Sequence, residues 1–125
     1  MKVHFFLGVL IVAGAAADCG GISNPNDIVF PADSVSYAMQ VRPYLTLACE
    51  SSGCHNASDE AGGVDLSSFT SIRDGTIPVV VPRDTTTSLL YKVLFGEQQH
   101  AATILANANQ RQGIAKWIME GAPDN

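Results

Sequence analysis

Basic residues are scarce in this sequence. Seven Lys and Arg stand against 12 Asp and Glu, a formal charge of −5. A surface of that sign repels nucleic-acid phosphates, so nucleic acid is excluded as a partner. A soluble acidic domain, or one that meets a basic partner, fits better. Aromatic residues are also few, with a single Trp, so the apolar core of so short a chain is marginal. No apolar run has the roughly 20 residues that a membrane-spanning helix needs. The longest, Phe5 to Val12, follows Lys2 and His4 and ends in Ala13-Gly14-Ala15-Ala16-Ala17. A short basic start, a short apolar centre and an A-x-A ending make residues 1–17 a secretory signal, which predicts a periplasmic or extracellular protein with no membrane span. Its removal takes Lys2 and His4 with it, leaving residues 18–125 with six basic and 12 acidic side chains, a formal charge of −6.

Cysteine is sparse as well: Cys19, Cys49 and Cys54. An odd number allows one internal disulfide at most. Cys19 lies two residues beyond the expected cut, where a lipid anchor is an alternative. Asp18 is a poor residue to precede a lipidated cysteine, so a plain secreted chain with a free or intermolecularly paired thiol is the preferred reading.

What the sequence does have is concentration. CESSGCH, residues 49–55, gathers two of the three cysteines and one of the two histidines left after the signal; the other is His100. Three chemistries compete for it. A Cys49–Cys54 disulfide suits an exported protein but leaves His55 unexplained. Zinc takes four ligands, and Cys49, Cys54, His55 and His100 would be the set, although neighbouring side chains such as Cys54 and His55 tend to diverge. Covalent haem uses C-x-x-C-H, with both thiols on the ring and the adjoining histidine on iron. Here the thiols are two residues further apart, so Ser51-Ser52 must bulge outward, helped by Gly53.

The remaining pattern is helical and loop-rich. Residues 18–33 form an irregular leader. A helix is expected from Ser34 as its N-cap through Val35, Met39 and Val41, interrupted by Pro43, which then opens a second short helix carrying Cys49. Residues 56–88 read as mostly loop, with VVV (79–81) as an extended wall between prolines. Leu89, Leu90, Val93 and Leu94 mark one face of a helix within 88–96, with caps offered by the threonine run. Ile114, Trp117 and Ile118 mark a last helix, with Gly121 at its C′ position and Pro123 beyond.

VRPYLTLACESSGCHN, GGVDLSSF, VVVPRDTTTSLLYKVLFG and IAKWIMEGAPDN occur in that order. Together they resemble the landmarks of a bacterial cytochrome c-type domain of the planctomycete and myxobacterial kind, over residues 34–125. That family has a C-x₄-C-H attachment, a G-G-L-x-L loop, a V-V-P-G-D-x-x-x-S-L-L-Y segment and a closing W-I-x-x-G-A-P. The resemblance implies a mostly α, small, loop-rich cytochrome c-like domain around one covalent haem c, held by Cys49 and Cys54 with His55 on the iron. It also implies an electron carrier rather than a catalyst, working with redox partner proteins. Where the family usually supplies a methionine from an M-P-P loop, this chain reads GEQQHAAT, so His100 is the expected second iron ligand. Met119 and Met39 are the rivals. An open iron site serving as a sensor or peroxidase-like centre, and a haemless disulfide-linked interaction module, are the competing functions. Arg73 or Arg83 is a candidate partner for the haem propionates, although the family usually has glycine at the place of Arg83. Trp117, Leu89, Leu90, Val93 and Ile118 are expected to face the ring. Asn56-Ala57-Ser58 also matches a glycosylation sequon.

Overall fold

The structure is a computed structural model and describes residues 21–98, 100 and 106–125. Residues 1–17, expected to be a secretory signal, and Cys19 lie outside the described residues. Among the described residues four α-helices carry the architecture: α1 (Arg42–Cys49), α2 (Phe69–Asp74), α3 (Leu89–Leu94) and α4 (Ala108–Met119). Among the described residues there is no strand, only an isolated bridge between Val81 and Asp84. The chain is therefore mostly helical, small and loop-rich.

The first helical run differs from expectation. Its cap is Ser36, whose hydroxyl accepts Met39 N–H, and not Ser34, which sits at φ 56° with its own N–H on Glu120. Pro43 does not interrupt the run either. Residues Tyr37–Val41 form a π-helical turn that passes directly into α1, with Val41 already helical at φ −66°, ψ −52°. A proline ring would press on the carbonyl four residues back, here that of Met39, and would leave one ladder position without a donor. The wider π turn relieves both conflicts at the point where the hydrogen-bond register changes.

α4 ends as its sequence predicts. Ala122 N–H bonds Trp117 O and Gly121 N–H bonds Ile118 O, with Gly121 at φ 104°, the paired bonds of a Schellman stop. Its start is a capping box between Asn107 and Gln110. Helix α3 is capped differently from expectation. Ser88 spends its hydroxyl on Val81 and Asp84 backbone, and Thr86 and Thr87 bond the Asp84 carboxylate. Those bonds hold the Asp84 carboxyl down at about 2. Of the expected wall at 79–81, Val79 and Val80 are buried, but Val79 lies at a bend whose N–H returns to Ile77 O at 2.8 Å.

The core joins the two ends of the described chain. Val41, Tyr44 and Leu45 are fully buried with Leu94, Ile114, Trp117 and Ile118. Tyr37 stacks on Trp117 with ring centroids 5.8 Å apart and meets Phe69 edge-on. Gly113 gives Phe30 room, since a Cβ there would lie 2.2 Å from the Phe30 ring. Phe30 in turn contacts Tyr44 edge-on. Polar clamps lock the same junction. The Glu120 carboxylate accepts the N–H groups of Ser34 and Val35, and Asn125 accepts those of Tyr37 and Ala38.

Candidate functional site

The CESSGCH segment begins where α1 stops. Cys49 is its last residue and stays 7% exposed. Burial pushes its thiol up to about 12, with the charges of Glu50 and Cys54 adding to the effect. His55 N–H returns to Cys49 O at 3.0 Å, closing the segment on itself. Inside that closure Cys54 N–H bonds Ser51 O at 2.9 Å, a tight turn with Gly53 at φ 79°. Ser51, Ser52 and Gly53 are exposed, whereas Cys54 is half-buried. Both thiols are free. An Arg42–Glu50 ion pair ties the start of α1 to this loop.

The GGVDL stretch explains how His55 is aimed. Gly62 and Gly63 both take left-handed φ, 66° and 76°, and turn the chain back alongside the histidine. Ala61 N–H then bonds Cys54 O, and Leu66 N–H bonds His55 O. Val64 O lies 3.2 Å from His55 Nδ1. A carbonyl only accepts, so Nδ1 carries the proton and the Nε2 lone pair points away from the protein backbone, the usual arrangement behind a ligating histidine.

What Nε2 points at is His100. The two Nε2 atoms are 3.3 Å apart and the ring centroids 5.5 Å, with planes 24° from parallel. The excess of the centroid distance over the nitrogen distance is about two centre-to-vertex lengths of an imidazole. The rings therefore meet tip to tip along one line rather than face to face. Two imidazoles so arranged are opposed donors for a single ion between them. Imidazole–metal bonds run about 2.0–2.1 Å, so sharing an ion requires the nitrogens to part by less than an ångström.

Among the described residues no three His, Cys, Asp or Glu side chains converge on one point. The four-ligand zinc set is therefore not assembled. A pair of opposed nitrogens leaves the equatorial positions of an ion to another source, and a tetrapyrrole is a group that fills all four. The two free thiols beside His55 are the donors that would tether such a ring. Cys49, Cys54, His55 and His100 are the residues that would hold such a group.

Other expected site residues lie elsewhere. Met39 and Met119 are exposed on their helices, 69% and 51%. Arg73 donates to Ala122 O and covers the Phe69 ring. Arg83 sits against Gly121 and gives its N–H to Ile118 O. Both arginines thus serve the end of α4. Trp117 and Ile118 are fully buried, with Trp117 Nε1–H on Pro123 O. Leu90 is buried as well, while Leu89 and Val93 are half-buried.

Asn56 and Asp59 escaped the sequence reading. Asn56 Oδ1 accepts the N–H groups of Ser58 and Asp59, while its Nδ2 donates to Ser51 O and to Asp59 Oδ2. Asp59 Oδ2 also accepts Gly53 N–H at 2.7 Å. The available signal was an Asn followed at the third position by Asp, a turn-forming pattern, placed directly after the histidine.

No family model, curated protein or solved structure matches the chain.

Proposed function

We propose that this chain is an exported mono-haem c-type cytochrome that carries electrons between redox partner proteins. Cys49 and Cys54 would bond the ring, and His55 and His100 would ligate the iron. The observation that supports this most is the tip-to-tip meeting of His55 and His100 beside two free thiols. When bound, the haem supplies a one-electron couple. The protein's part would be to keep both imidazoles in place, so that little rearrangement accompanies each electron. Val64 O fixes the His55 tautomer, the buried end of α1 fixes Cys49, and the absence of a thioether ligand favours a lower potential than a Met/His pair gives. Export to the periplasm or the cell exterior follows from the secretory pattern of residues 1–17, and that compartment is where the proposed partners would be met.

The test is the protein exported from a host with cytochrome maturation machinery. A low-spin haem spectrum and a mass increased by one haem are expected. His100→Ala is expected to give a reduced form that binds carbon monoxide. Colourless protein with Cys49 bonded to Cys54 overturns the reading. An unchanged low-spin spectrum in His100→Ala removes His100 from the iron and leaves the haem in place.

A further inference from the structure

We propose that Asn56 and Asp59 are positioning residues for two-point attachment: they fold the surplus of the Cys49–Cys54 loop outward so that both thiols and the His55 imidazole address one group. The inference rests on the haem reading for the identity of that group. Each thiol adds its S–H across one vinyl double bond, sulfur to one carbon and hydrogen to the other, without a co-reactant. The vinyl spacing is fixed, so the second addition succeeds only if the chain holds the second sulfur at the matching distance.

A loop with two residues between its cysteines has little freedom to miss that distance. Four residues have much more, since each unrestrained residue multiplies the accessible backbone states. This chain removes that freedom from downstream. Side chains that follow His55 reach back over the residues that precede Cys54. Asn56 grips Ser51 O at 3.1 Å, Asp59 grips Gly53 N–H at 2.7 Å, and the two side chains bond each other at 2.7 Å. Cys54 lies between the gripped residues and the histidine. Gly53 needs glycine for its φ of 79° and not for space, because a Cβ there would meet nothing within 4 Å. The Asp59 carboxyl is held below its usual range by the bonds from Asn56 and Gly53. Asn56 has both ends of its amide committed.

The experiment uses the full chain exported with maturation machinery, as wild type, Asn56→Ala, Asp59→Ala and Asp59→Asn. Adducts at Cys49 and Cys54 are mapped by mass spectrometry, and Gly53 amide exchange is followed separately. Wild type should carry two thioethers. The two alanine variants should shift mostly to one, and their Gly53 amide should exchange roughly tenfold faster, as loss of a charge-assisted bond allows. Asp59→Asn keeps a carbonyl oxygen for Gly53 and should recover most of both properties. Full double attachment with unchanged Gly53 exchange in both alanine variants overturns the proposal while haem binding stands. Wild type without haem overturns the haem reading itself.

Discussion

Cys49 and Cys54 share one motif yet belong to regions built in different ways. Cys49 closes α1 inside the apolar core, among side chains brought together across most of the chain. Its surroundings are locked by bonds such as Phe30 to Asn109, 79 residues apart, and Val35 to Glu120, 85 apart. Cys54 sits in a loop where Ser51–Gly53 and Ala57–Glu60 are exposed and the bonds made by Asn56 and Asp59 span only a few residues. The first region is held by burial and fixes where the loop begins. The second is held by polar side chains and fixes where the loop points. Stability and aim are therefore separable in this molecule, which gives ways to break the contrast or to sharpen it.

The strongest break is Trp117→Ala. Removing a fully buried indole that stacks on Tyr37 should cost about 3–5 kcal/mol, read as a fall in the denaturant midpoint, and should take both regions with it. A sharper comparison comes from thiol labelling of protein made without haem. The folded state holds the Cys49 proton up to about 12 against an ordinary 9.0, so at pH 8 alkylation should fall on Cys54 well before Cys49. The unfolded chain gives up that proton first as pH rises. Stability should therefore be undiminished below pH 9 and decline from there towards pH 12. Equal labelling of the two thiols in the folded protein would erase the distinction. The smallest effect is expected at Arg83, where φ is 62°. A left-handed non-glycine residue costs about 1–2 kcal/mol, and glycine returns part of that through its own flexibility. Arg83→Gly should raise stability by about 0.5–1 kcal/mol, seen as a higher melting temperature with an unchanged spectrum.

The parts that could be read from the sequence are those whose cause is local. Ile114, Trp117 and Ile118 repeat at helical spacing, and Gly121 with Pro123 ends the helix because the backbone there needs φ 104°. Arg83 is instructive, because it stands where the resembled motif has glycine and the backbone still takes the left-handed turn. Pro43 misled, since its conflict with α-helix was real but was resolved by a wider turn, which no residue preference announces. Arg73 misled because its partner, Ala122 O, lies 49 residues away. His55 and His100 are 45 residues apart, and their pairing as opposed donors was suggested by a family pattern, where the residues alone offered only a four-ligand metal set. Asn56 and Asp59 act on residues upstream of themselves, a relation that motif spacing does not encode.

The widened turn at Tyr37–Val41 carries one further consequence. An α-helix advances about 100° per residue, and this turn spends one residue more than an α turn would. It therefore works as a phase adjustment between two stretches of one rod. Its first residues, Tyr37 and Ala38, are set by the Asn125 clamp and Trp117, and residues after it are rotated so that Tyr44, Leu45 and Cys49 fall on the buried side. A chain shortened by one residue there would keep its helix but swing the first sulfur roughly a quarter-turn away from the interior.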